Sequence, residues 1–233
     1  MFETDSYTVN GEASNSMPQS AGIFDISVTT TQGRPARFTL SLPDSAAGPD
    51  PVPLFLILHY GGQPTPFYGR PLIEMLFGPA WKALGGIFVA PETVDGQWHT
   101  EANEAFVMQL MQVISDTYPV DPARVVVGGY SMGAIGSWHY ITHYPERFSA
   151  AVPVAGFPSG PLNCMVPVYT MATESDEIFD YRTFSERVDE LRKNDCDVTF
   201  ETVAARGHYD VGGFVDALRA TTPWLESKWD TSP

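Results

Sequence analysis

The chain has 233 residues, 43% of them hydrophobic and 18% charged, an ordinary globular composition that excludes a disordered or fibrous protein. Lys and Arg number 13 against 28 Asp and Glu, a formal charge of −15. Such a surface repels nucleic acid and anionic membranes, so neither is expected as a partner.

In chain order, Met1-Phe2-Glu3-Thr4-Asp5 lacks the basic and apolar regions of a secretory signal, so the chain reads as cytoplasmic unless a signal has been removed. No stretch approaches the ~20 apolar residues of a membrane span. Residues 1–21 are polar and rich in Ser and Asn, and read as a loose arm ahead of one domain over 22–230. Residues 23–31 and 37–42 alternate apolar and polar positions, as in an antiparallel hairpin with one wet face, and Thr31-Gln32-Gly33-Arg34-Pro35 suits its turn. A Pro- and Asp-rich loop follows over 43–53.

From there the pattern changes. Residues 54–58, 86–90, 124–128, 150–154 and 166–171 are short continuous apolar runs, the signature of strands buried on both faces of a parallel sheet. A weaker, alternating run at 198–203 suits a strand at or near the sheet edge. Helical stretches lie between them, at 72–84, 101–118, 132–144, around Phe184, Val188 and Leu191, and from 211 to 229 with a break at Pro223. A hairpin followed by alternating β and α elements makes an α/β, doubly wound, mostly parallel sheet with antiparallel strands at one edge. No insertion is long enough for a large lid. Cys164 and Cys196 each precede an expected strand and join no metal-ligand cluster, which leaves either two free thiols or a single disulfide. No metal or other cofactor is expected, and the oligomeric state leaves no sequence signal.

The run Val125-Val126-Val127-Gly128-Gly129-Tyr130-Ser131-Met132-Gly133 breaks from a β-branched strand into Gly-x-Ser-x-Gly and then a helix. That order is a nucleophile elbow, a sharp turn that presents Ser131 at the C-terminal rim of the sheet. The rim then supplies partners in chain order. After the strand ending at Leu58 comes His59-Tyr60-Gly61-Gly62, whose glycines let backbone amides face an oxyanion; the Met132 amide offers the other donor. After the strand ending at Met171 comes an acidic loop, in which Asp176 sits at mid-loop with Glu174 and Asp180 as alternatives. After the last strand comes His208, where a general base belongs. His59, His99, His139 and His143 lack that chain order and read as structural. His208 would deprotonate Ser131, and Asp176 would hold the imidazole tautomer.

Residues 124–155 resemble the serine hydrolases known as phospholipase/carboxylesterase, predicted-peptidase and polyhydroxybutyrate-depolymerase or feruloyl-esterase-like proteins. The shared features are Arg124 before the strand, Gly129-Tyr130-Ser131-Met132-Gly133, Trp138 on the helix, and Tyr144-Pro145-Glu146-Arg147-Phe148. The resemblance spans roughly residues 50–225 and implies a lidless α/β-hydrolase fold with a Ser131–Asp176–His208 triad. Where many relatives have His-Gly at the oxyanion loop, this chain has His59-Tyr60. Tyr60-Gly61-Gly62 is similar instead to the loop of prolyl-oligopeptidase-like enzymes, so either the Tyr60 hydroxyl or the Gly61 amide is the second donor. Trp98 and Tyr209 are expected as aromatic substrate-binding walls, with Phe179 flanking the acid. The expectation is a carboxylic-ester hydrolase acting on a small or medium ester, against a peptidase, thioesterase or lactonase with the same triad, or a non-catalytic binding protein on the same fold.

Overall fold

The computed structural model describes residues 1–2, 6–31, 33–157, 160 and 164–230. Ten strands form one sheet: β1 (Tyr7–Val9), β2 (Glu12–Ser14), β3 (Gly22–Thr29), β4 (Pro35–Leu42), β5 (Val52–Leu58), β6 (Ile87–Pro91), β7 (Val120–Tyr130), β8 (Ala150–Val154), β9 (Val168–Ala172) and β10 (Val198–Thr202). Their spatial order is β10-β9-β8-β7-β5-β6-β4-β3-β1-β2. The six strands from β10 to β6 run parallel; β4, β3, β1 and β2 continue the sheet antiparallel. β10 is the edge, in keeping with its alternating sequence.

Burial on both faces explains the continuous apolar runs. Along β5, Leu54, Leu56 and Leu58 point into one core layer while Phe55 and Ile57 point into the other. The first layer is closed by α3 (Glu101–Thr117), α4 (Met132–His143) and α5 (Tyr181–Lys193), through Phe106, Leu110, Trp138, Ile141, Phe184 and Val188. The second is closed by a helical run over 70–84 and by α6 (Val215–Ala220) and α7 (Thr222–Asp230), through Phe77, Trp81, Leu218 and Leu225. The 70–84 run is segmented: α1 (Arg70–Leu72), a π turn (Ile73–Phe77), α2 (Gly78–Trp81) and a 3-10 turn (Lys82–Leu84). Pro79 has no N–H to donate, and the turn widens just before it.

One expectation needs restating. Residues 1–21 do not form a loose arm throughout: β1 and β2 add to the sheet edge beside β3, joined by a turn at Asn10 (φ 49°) and Gly11 (φ 88°). Asn-Gly is the strongest short hairpin signal, and it was legible in the sequence. Phe2, Tyr7 and Met17 are buried beneath this edge. The hairpin of β3 and β4 pairs over its whole length, from Gly22 opposite Leu42 to Thr29 opposite Pro35; Gln32 in its expected turn lies outside the described residues.

Candidate active site

The C-terminal ends of β5, β7, β9 and β10 converge on one rim. β7 ends at Tyr130, and α4 starts at Met132, so the chain reverses at Ser131 alone. Ser131 takes φ 56° and ψ −115°, a conformation costly for a residue with a side chain. The turn is held because the Ser131 N–H donates to the Val154 carbonyl on β8 at 2.9 Å. Close packing of α4 on β5 also fixes it: a Cβ on Gly133 would lie 1.9 Å from the Leu58 carbonyl oxygen. Only glycine fits there.

Ser131 Oγ lies 2.9 Å from His208 Nε2, and His208 Nδ1 lies 2.9 Å from Asp176 Oδ2. A carboxylate only accepts, so Nδ1 carries the proton and donates to Asp176, which leaves Nε2 to accept the Ser131 hydroxyl proton. The Asp176 side chain is 1% exposed and that of His208 5%. Asp176 Oδ1 accepts the amides of Ile178 and Phe179, each at 2.8 Å, so the carboxylate is fixed by its own loop. The alternatives do other work. Asp180 caps α5 by accepting from the Thr183 amide and hydroxyl, and Glu174 is exposed.

The backbone of His208 is clamped as well. Its N–H donates to Glu177 Oε2 at 2.8 Å, and its carbonyl accepts from the Tyr130 hydroxyl at 2.6 Å. Burial, with the negative charges of Asp176, Asp210 and Glu177, pushes the Tyr130 pKa up, so this hydroxyl stays a neutral donor. Neither Glu177 nor Tyr130 was singled out as a partner of His208, although both are sequence neighbours of the residues that were.

On the other side of Ser131, the His59–Gly62 loop is braced by His59 itself. The Thr93 N–H donates to His59 Nε2 at 3.1 Å, so Nδ1 carries the hydrogen and donates to the Tyr60 carbonyl at 2.7 Å. His59 is 1% exposed, and burial lowers its pKa to about 4, partly offset by the bond to Tyr60. The loop touches α4: a Cβ on Gly61 would sit 3.7 Å from the Met132 side chain. Met132 opens α4, and its amide belongs to the first turn, whose N–H groups lack helical partners.

Trp98 corrects an expectation. It is 1% exposed and does not wall the rim cavity. Its indole N–H donates to the His59 carbonyl at 3.0 Å and its ring packs on α4, where Gly136 leaves room for it. Gln97 beside it faces a rim cavity instead. Tyr209 does line the cavity over Ser131, a space of about 420 Å³, together with Tyr60, Gly61, Tyr130, Ile178 and Val211. The remaining histidines sit elsewhere: His139 bonds Glu104 at 2.6 Å, His143 contacts the His139 carbonyl, and the His99 ring lies beside His139. Cys164 and Cys196 are free thiols, and burial together with the neighbouring Cys196 thiol pushes the Cys164 pKa up. Among the described residues no group of three or more His, Cys, Asp or Glu is arranged to hold a metal ion, and no helix is long and apolar enough to cross a membrane.

Comparison with known proteins places this arrangement. An "Uncharacterized secreted protein" of Arthroderma benhamiae is 36% identical over 64 residues, which cover 28% of this chain and 7% of that protein. Among solved structures, a thermostable esterase superposes with a TM-score of 0.68 at 18% identity, covering 88% of this chain and 62% of its own. An S-formylglutathione hydrolase from Agrobacterium tumefaciens gives 0.70 at 14% identity, covering 91% and 97%. The chain thus spans under two thirds of the length of the first two relatives, and the two structural likenesses establish a shared α/β-hydrolase fold. The profile of the Esterase family, described as "Putative esterase", matches residues 88–227, well over half of the chain. The chain belongs to this esterase family of α/β-hydrolases.

Proposed function

We propose that the protein is a serine carboxylic-ester hydrolase acting through an acyl-enzyme on small or medium esters. The observation that carries this reading is the relay in which Asp176 holds His208 and His208 holds the Ser131 hydroxyl, each link 2.9 Å long. Ser131 Oγ attacks the ester carbonyl carbon while His208 Nε2 takes its proton. Asp176 stays ionised and stabilises the imidazolium. The oxyanion is met by the Met132 amide and by a second donor from the Tyr60–Gly61 step, each worth roughly 3–4 kcal/mol in such sites. His208 then returns the proton to the departing alcohol oxygen as the carbon–oxygen bond breaks. Water, deprotonated by His208, attacks the acyl carbon, and the acid leaves as Ser131 recovers its proton.

A fluorophosphonate probe tests the nucleophile. The wild-type protein is expected to label at Ser131 and to hydrolyse p-nitrophenyl butyrate. Ser131→Ala, folded by circular dichroism, is expected to lose labelling and to drop kcat/KM by about four orders of magnitude. An unlabelled wild type, or a Ser131→Ala protein that still turns the ester over, ends this reading. Amide and thioester analogues run beside the ester separate the peptidase and thioesterase alternatives.

A further inference from the structure

Three neighbouring cavities with shared lining residues lie along the rim. The cavity over Ser131 shares Tyr60 and Gly61 with a second, of about 410 Å³, that extends to Asp95 and Gln97. On its other side it shares Ile178 with a third, of about 420 Å³, walled by Phe157, Phe179, Phe184 and Arg187. His208 belongs to the wall of the middle cavity, and its ring centroid lies 5.5 Å from that of Phe179 in the wall of the third. The departing alcohol oxygen takes its proton from His208, so the alcohol half leaves past this ring, whose neighbour Phe179 lines the third cavity.

Charge is uneven across these cavities. Among the described residues lining the three cavities, Arg187 is the single Lys or Arg; Asp95 lies at the opposite end. The guanidinium lies over the Phe157 ring, 5.5 Å from its centroid, and donates to the Gly160 carbonyl. Among the described residues Gly160 is its hydrogen-bond acceptor and Glu190 a loose ion-pair partner at 4.0 Å, which leaves donors of the fork for a ligand. Asp180 lines the same cavity as an ionised carboxylate, held at the start of α5 by the Thr183 amide and hydroxyl on Oδ1, so Arg187 has to bind an anion beside one fixed negative charge. A planar cation held on an aromatic floor, in a chain of charge −15, is a recognition element for a carboxylate.

We infer that the third cavity is a subsite for a carboxylate carried on the alcohol half of the ester, with Phe157, Phe179 and Phe184 walling an aryl or alkyl spacer and Arg187 pairing with the anion. The inference rests on the ester-hydrolase reading above. Substrates of this class are acyl esters of hydroxy acids, and hydrolysis releases a hydroxy acid and a simple acid.

The test uses phenyl butyrate and a series of carboxylated phenyl butyrates, with the carboxylate set at increasing methylene spacing from the ring. Each is measured with the wild-type protein, Arg187→Gln and Arg187→Lys. At the best spacing, Arg187→Gln is expected to lower kcat/KM for the carboxylated ester by about tenfold more than for phenyl butyrate, chiefly through KM. Arg187→Lys is expected to recover part of that difference, because it restores charge without the planar fork. Equal losses on charged and neutral esters at every spacing, or a difference carried by kcat alone, overturn the subsite. A wild type that hydrolyses the neutral ester but never distinguishes the charged series also overturns it. If no ester in the set is hydrolysed, the ester-hydrolase reading itself falls, and the subsite with it.

Discussion

His59 links the oxyanion loop to the Thr93 loop only in its neutral form, because Nε2 must accept while Nδ1–H donates. Its folded pKa is lowered to about 4, against 6.5 for an imidazole in water. Between those values the unfolded chain binds a proton that the folded chain does not. Stability therefore rises with pH through this window and is lost as pH falls from 6.5 toward 4, by up to about 3 kcal/mol. His59→Gln keeps an acceptor and a donor but cannot take up the proton. The variant is expected to melt lower than wild type at neutral pH, yet to lose less melting temperature between pH 6.5 and 4. Thermal melts across that range check this, and equal slopes in the two proteins refute it. At this scale the sequence placed His59 beside the oxyanion loop and read it as structural, but its tautomer depends on Thr93, a partner set by folding. Trp98 went astray for the same reason. Its loop was placed at the rim, but a loop position does not say which way a side chain turns, and the room that Gly136 leaves for it lies on another element.

The strand–Ser131–helix unit shows why some elements announce themselves in sequence. Crossing α4 close over β5 demands a missing side chain at Gly133, where an added Cβ would lie 1.9 Å from the Leu58 carbonyl oxygen. Gly133→Ala must push α4 off the sheet, carrying Ser131 and the Met132 amide with it. Overpacking of this kind costs about 1–3 kcal/mol or more, and a shift of the nucleophile costs rate as well. The variant is expected to melt several degrees lower and to lose kcat by about a hundredfold or more. Gly212→Ala is the control, since nothing lies within 4 Å of a Cβ added there, and it should do neither. Wild-type kcat in Gly133→Ala would show that the elbow tolerates displacement. The same logic made β5, β6 and β8 readable: strands covered on both faces need apolar residues at every position. Arg187 had no such signature, because its seat over Phe157 joins α5 to a loop beyond β8, and only the packed molecule brings them together.

Over the whole molecule, the sheet grows in opposite directions from its parallel centre, with β10 at one edge and β1–β2 at the other. The rim that carries Ser131, Asp176 and His208 belongs to the parallel strands, and the antiparallel edge lies away from it. Its polar, Ser- and Asn-rich sequence hid three anchors. Phe2, Tyr7 and Met17 are 3%, 5% and 4% exposed, too sparsely spaced to make a periodic pattern. Long-range hydrogen bonds tie the segment down, three of them to α3 and the residue after it: Gln109 donates to and accepts from the Phe2 backbone, and the Tyr118 hydroxyl donates to the Pro18 carbonyl. Removing residues 1–19 uncovers the β3 edge and the core beneath it. Burial of such side chains is worth about 1.5–3 kcal/mol each, less the entropy of ordering the segment. A net loss of about 3–5 kcal/mol lowers the melting temperature of a domain this size by roughly 10 °C. Calorimetry of the shortened chain is expected to show that drop, while kcat on p-nitrophenyl butyrate, measured well below the transition, stays within about twofold of wild type because the relay from Asp176 to Ser131 does not touch this edge. An unchanged melting temperature would mean that β1 and β2 are ornaments on the sheet, whereas a collapse of kcat with the fold intact would mean that the antiparallel edge positions the rim after all.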